Sequence, residues 1–144
     1  MFYLDTSFIV AALTQDEGSS EQARQWLDVA VSSSLIISDW VITEVSSAFA
    51  AKVRLNQFSL DQRADALLQW RILQADSLEL IAIQREDFQV AAEFAGRHKL
   101  FLRSGDALHL AVAKRVGCTL VTLDKRMAAA ALELGVPVAA VSDV

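Results

Sequence analysis

Five short apolar segments, separated by longer stretches of helical periodicity, constrain this chain more than any other feature. They are Phe2-Tyr3-Leu4, Leu35-Ile36-Ile37-Ser38, Leu78 to Ile83, Cys118 to Leu123 and Val136 to Val141. Each is too short for an ordinary helix, and most lack polar alternation, as expected of strands buried on both faces. The lone proline, Pro137, marks the last segment as edge-like. Between them, helices are predicted over about 8–13, 21–31, 39–53, 60–75, 86–95, 104–116 and 125–134. Ser59 with Gln62 reads as a capping box, Ser104 as an N-cap, and Gly117 and Gly135 as helix stops. Such alternation gives an α/β fold, a mostly parallel sheet whose right-handed crossovers put helices on both faces. Residues 1–144 are expected to form one domain, without linker or repeat.

The strand ends carry the chemistry. Asp5 follows Leu4 and Asp124 follows Leu123, so both acids stand at the carboxyl ends of parallel strands, the edge where open α/β sheets bind ligands. Asp106 enters the first turn of a nearly all-apolar helix. Glu44 lies about a turn inside the helix opening at Asp39, beside the buried stripe of Val41, Val45, Ala48 and Phe49. Taken singly, each has an ordinary explanation, Asp5 as a helix cap and Glu44 as the partner of an Arg or Lys. Taken together, acids from four separate segments face one cleft, where they repel one another unless a cation binds or some protonate. A few oxygen donors favour a hard ion, Mg²⁺ or Mn²⁺, which retains several waters and suits phosphoryl transfer. Thr6, Ser7 and Thr122 stand beside the acids, either orienting them or serving as turn and cap hydroxyls.

Composition removes several other classes. Hydrophobic residues make up 53% of the chain, yet no run approaches the roughly 18 needed to span a bilayer. Met1-Phe2-Tyr3-Leu4-Asp5 has no basic start, so no secretory signal is expected and a cytoplasmic location is the default. Cys118, the single cysteine, reads as a buried small hydrophobe, and His98 and His109 lack the spacing of a zinc site. The net charge of −5 at first disfavours a polyanionic partner. Setting four of the 18 acids aside as a metal cluster leaves the rest nearly matched with the 13 bases. Arg54, Arg103, Lys125 and Arg126 are then candidate phosphate contacts, with a solvated role as the alternative. Glu86 and Asp87 are explained by the dipole of the helix they open, and Gln15 to Ser20 by a polar turn.

Four motifs in order, Leu4-Asp5-Thr6-Ser7, the acid of Ser38-Asp39-Trp40-Val41-Ile42-Thr43-Glu44, Ser104-Gly105-Asp106-Ala107-Leu108-His109-Leu110-Ala111 and Leu120-Val121-Thr122-Leu123-Asp124, resemble those of PIN-domain ribonucleases. The resemblance runs from residue 3 to about 140 and is closest to the toxins of VapBC toxin-antitoxin modules. It implies a PIN-like three-layer fold with a central parallel five-stranded sheet ordered 3-2-1-4-5. It also implies Mg²⁺- or Mn²⁺-dependent endonucleolytic cleavage of RNA, a homodimer, and a VapB-type antitoxin that blocks the cleft. Asp5, Glu44, Asp106 and Asp124 become the catalytic and metal-binding acids, with Thr6, Ser7 and Thr122 behind them. His109 also belongs to the motif and is assigned to helix packing or a local hydrogen bond. Two rival readings are a phosphatase with an aspartyl nucleophile, although Ser7 stands where such enzymes carry a second acid, and a non-catalytic PIN-like binding module.

Overall fold

The computed structural model describes residues 1–15 and 18–141, so Asp16 and Glu17 of the expected polar turn lie outside the described residues. The chain opens with β1 (Phe2–Leu4), α1 (Thr6–Leu13) and α2 (Ser20–Ala30). Next come β2 (Leu35–Ser38), α3 (Asp39–Arg54), α4 (Leu60–Ser77) and β3 (Leu78–Ile81). It ends with α5 (Arg85–Gly96), a 3-10 turn (His98–Leu100), α6 (Ser104–Val116), β4 (Thr119–Val121) and α7 (Lys125–Glu133).

All strand pairs are parallel, and the order is β3-β2-β1-β4. β1 lies centrally, pairing Phe2 with both Leu35 and Thr119, and its Tyr3 and Leu4 are fully buried. Trp26 of α2 meets Phe2 and Phe8 edge-on, with ring centroids 5.1 and 5.3 Å apart. Helices α1 to α4 pack among themselves, as do α5 and α6.

The expected fifth strand does not form. The segment from Val136 lies beside β4 in the predicted place, but it makes a single parallel bridge, Val138 to Leu120. Leu120 donates to the Pro137 carbonyl at 2.8 Å and accepts from the Ala139 N–H at 2.9 Å. Pro137 has no N–H with which to continue the ladder backwards. The sheet therefore has four strands rather than five.

Local signals place most helix ends. Gln62 N–H donates to Ser59 Oγ at 3.0 Å and Ser59 N–H to Gln62 Oε1 at 2.8 Å, closing the expected capping box. Gly117 stops α6 at φ 74°, where a side chain would be strained. Ser104 is the first residue of α6 rather than its cap, which is Arg103. Cys118 is buried. Asp87 needs more than a helix dipole, because it is 2% exposed and held by Arg115 of α6 through bonds of 2.8 and 2.9 Å. None of the described helices is long and apolar enough to cross a membrane.

Candidate active site

Because β1 lies between β2 and β4, the chain leaves it in one direction and returns on the other side. The crevice beyond the carboxyl ends of β1 and β4 is the switch point of the sheet, where no crossover covers the edge. Asp5 follows β1 and N-caps α1; Asp124 lies just beyond β4 and N-caps α7. The Asp5 N–H donates to Val121 O at 3.1 Å, tying the two strand ends together.

Asp5 is almost wholly buried, 3% exposed, and its carboxylate is anchored by both neighbouring loops. Phe8 N–H donates to Oδ1 at 2.9 Å, the Ser7 hydroxyl reaches Oδ1 and Oδ2 at 2.8 and 3.0 Å, and the Thr122 hydroxyl donates to Oδ2 at 2.5 Å. Ser7 Oγ accepts from Leu123 N–H at 3.1 Å and Thr122 Oγ1 from Asp124 N–H at 3.0 Å, so the loop after β4 grips Asp5 through two hydroxyls. Burial pushes the Asp5 pKa up, and these bonds only partly offset it.

Glu44, half-buried on α3, finds its partners in Thr6 and His109 rather than in an arginine or lysine. Thr6 Oγ1 donates to Oε1 at 2.8 Å, and His109 Nε2 bonds the same oxygen. Burial opposes ionisation of Glu44, but the His109 and Thr6 bonds outweigh it and its pKa is lowered. Gly105 approaches from α6. A Cβ there would lie 3.0 Å from Trp40 Nε1 and 3.1 Å from Glu44 Oε2, so only glycine fits without displacing them. Asp106, the next residue, is partly buried, and its pKa is raised by burial and then by the charges of Asp124 and Glu44. The acids thus share one field.

They do not form a closed cage. Among the described residues, no three Asp, Glu, His or Cys side chains are grouped closely enough to hold a metal ion together. Asp5 has three protons, from Ser7, Phe8 and Thr122, against about four lone-pair sites, which leaves one. Glu44 Oε2 is not bonded by Thr6 or His109, though the Trp40 indole N–H stands near it, and Asp124 uses Oδ1 to cap Arg126 and Met127 at 2.9 and 3.1 Å. The remaining donors are a few oxygens from separate elements. That set fits a hard divalent ion that keeps most of its water, and it does not fit zinc.

Of the candidate phosphate contacts, Arg103 caps α6 three residues before Asp106, and Lys125 and Arg126 open α7 beside Asp124; all are exposed. Arg54 ends α3, about 15 Å along the axis from Glu44, and is not brought to the site. Two residues the sequence reading passed over, Tyr3 and Ser38, join the site through His109. Tyr3 OH lies 2.6 Å from His109 Nδ1 and 2.7 Å from Ser38 Oγ. The signal was a tyrosine inside a buried strand, whose hydroxyl had to find a partner.

The PIN domain family model matches residues 2–133. Among solved structures, VapC20 of Mycobacterium tuberculosis, described as a Sarcin-Ricin loop cleaving toxin, superposes with TM-score 0.71 at 19% identity, covering 90% of this chain and 95% of that one. FitAcB of Neisseria gonorrhoeae gives 0.69 at 21% identity over 100% of both chains. VapBC2 of Rickettsia felis, bound to a DNA fragment from its promoter, gives 0.65 at 19% identity over 86% of this chain and 89% of that one. No curated protein sequence matches. With a family model spanning β1 to α7 and the same fold in these structures, the chain belongs to the PIN-domain family.

Proposed function

We propose that this protein is a Mg²⁺- or Mn²⁺-dependent endoribonuclease, the toxin of a type II toxin-antitoxin pair, with Asp5, Glu44, Asp106 and Asp124 as its metal-binding and catalytic acids. The observation that carries the reading is that Asp5 and Asp124 leave the neighbouring strands β1 and β4 at the switch point of the sheet, where Asp5 N–H bonds Val121 O, with Asp106 near enough that, after burial, the charges of Asp124 and Glu44 push its pKa up. Such crowding costs stability in a cation-free protein and is relieved when a divalent ion binds. A bound ion would supply Lewis acidity and offset the charge of a phosphodiester. The chain's own part is to orient: Ser7 and Thr122 hold Asp5, while Thr6 and His109 hold Glu44. Arg103, Lys125 and Arg126 take neighbouring phosphates. Hydrolysis adds water at phosphorus and releases the 3′-oxygen, leaving a 5′-phosphate and a 3′-hydroxyl.

The fold shared with VapC20 and with VapBC complexes supports an RNA substrate and a VapB-type antitoxin in the cleft. We further expect one domain, a homodimer and action in the cytoplasm. An aspartyl phosphatase is disfavoured by the burial of Asp5, whose oxygens face Ser7, Phe8 and Thr122.

The test is incubation of the purified protein with RNA and with a small phosphomonoester, in Mg²⁺ and in EDTA. Cleavage of RNA only in Mg²⁺ is expected. Turnover of the monoester alone would favour the phosphatase, and inertness toward both the binding module. Gly105→Ala is expected to lower RNA cleavage about tenfold, the size of effect seen when the support of a ligand is disturbed. Its melting temperature should stay within a few degrees of wild type, since alanine's helix propensity gives back up to about 1 kcal/mol. Unchanged cleavage in this variant would show that Glu44 Oε2 tolerates displacement.

A further inference from the structure

Five polar side chains from five elements form one line through the interior: Ser38 of β2, Tyr3 of β1, His109 of α6, Glu44 of α3 and Thr6 of α1. Ser38 and Tyr3 are fully buried and His109 is 2% exposed. Around His109, Leu108, Leu110, Ala111, Val112 and Ala113 already fill the core, so packing alone called for another hydrophobe. A buried polar chain persists only when each member is satisfied, and here each one is. The bonds also divide the two oxygens of Glu44. Oε1 is taken by Thr6 and His109, while Oε2 lies against Gly105, the residue before Asp106, on the side where the Trp40 indole N–H also reaches Glu44.

We propose that Tyr3 and His109 are positioning residues which lock Glu44 so that it offers a single oxygen, Oε2, to the metal site. The inference rests on the ribonuclease reading and adds to it the device that aims one ligand. As a carboxylate, Glu44 can only accept, so Oε1 takes the Thr6 hydroxyl proton on one side and the His109 Nε2–H on the other. Tyr3 fixes the ring from behind at Nδ1, and Ser38 fixes Tyr3. Ligand carboxylates and imidazoles supported in this way lose metal affinity when the supporting group is removed.

The experiment is Mn²⁺ binding by calorimetry and electron paramagnetic resonance on the RNA-free protein, with RNA cleavage measured against Mg²⁺ concentration in parallel. His109→Ala is expected to weaken Mn²⁺ binding about tenfold or more, and the Mg²⁺ concentration giving half-maximal cleavage should rise by the same factor. KM for RNA should be unchanged. His109→Gln, which retains an N–H donor, should recover most of the affinity, whereas a purely structural role would leave both variants alike. Tyr3→Phe, which removes one hydroxyl, should weaken Mn²⁺ binding severalfold and carries the test should His109→Ala fail to fold. Wild-type Mn²⁺ affinity in folded His109→Ala or Tyr3→Phe would overturn the proposal while leaving the ribonuclease reading intact. Absence of both Mn²⁺ binding and RNA cleavage in the wild type would overturn the two together.

Discussion

Asp106→Asn should abolish RNA cleavage, by about a thousandfold or more, while leaving the metal-free protein at least as stable as the wild type. The two halves of this result come from one cause. Asp106 is partly buried, and Asp124 and Glu44 repel its charge; the amide removes that repulsion together with the metal ligand. In EDTA the variant should melt no lower than wild type, and a gain of 1 kcal/mol would correspond to roughly 3 °C. Adding Mg²⁺ should raise the wild-type melting temperature and leave that of Asp106→Asn unchanged, because only a ligand that binds the folded state stabilises it. Asp5→Asn should be equally inactive but without a gain in stability, because mismatched hydrogen bonds offset the relief of its buried charge. Its amide would turn an N–H₂ toward donors from Ser7, Phe8 or Thr122, at a cost of about 1–2 kcal/mol. Metal-dependent cleavage retained in either variant would remove that acid from the site; a lower melting temperature for Asp106→Asn in EDTA would contradict the crowding.

Arg115→Met should cost about 3 kcal/mol in urea unfolding at neutral pH. It leaves Asp87 buried with only the Gln84 N–H, at 2.8 Å, as partner. The value is the low end of the range for a broken buried pair, since Arg115 is 34% exposed and part of its charge is already hydrated. Burial pushes the Asp87 pKa up, but the Arg115 bonds and charge overcome this and hold it below the usual 3.8. A depressed carboxylate contributes stability that is complete above its unfolded pKa and is lost as pH falls through the folded one. The gap between wild type and Arg115→Met should therefore be full at pH 7 and shrink below about pH 4. A gap that stayed constant from pH 7 to below about pH 3 would mean that Arg115 acts by packing rather than by charge.

Much of this molecule was legible because its determinants are local. Ser59 and Gln62 close a capping box three residues apart, Gly117 takes the left-handed turn that ends α6, and the apolar runs at Phe2, Leu35 and Thr119 are strands. Asp5 was legible both as a cap and as a strand-end acid, and it is both, which is why neither role could be chosen from its neighbours alone. The fifth strand failed at Pro137 because a strand needs a ladder, and the missing N–H limits pairing to one bridge. The partner of Asp87 is 28 residues away and that of Glu44 is 65 away, so neither pairing leaves a periodic trace.

The α/β class, the parallel sheet and the acids at its carboxyl edge are written in the residues alone, because periodicity, caps and strand ends act within a few residues. Which oxygens of those acids are taken follows from contacts between distant segments. Thr122 closes on Asp5 from 117 residues away, and Tyr3 reaches His109 across 106, so the aim of each carboxylate depends on how β1, β4, α3 and α6 come together.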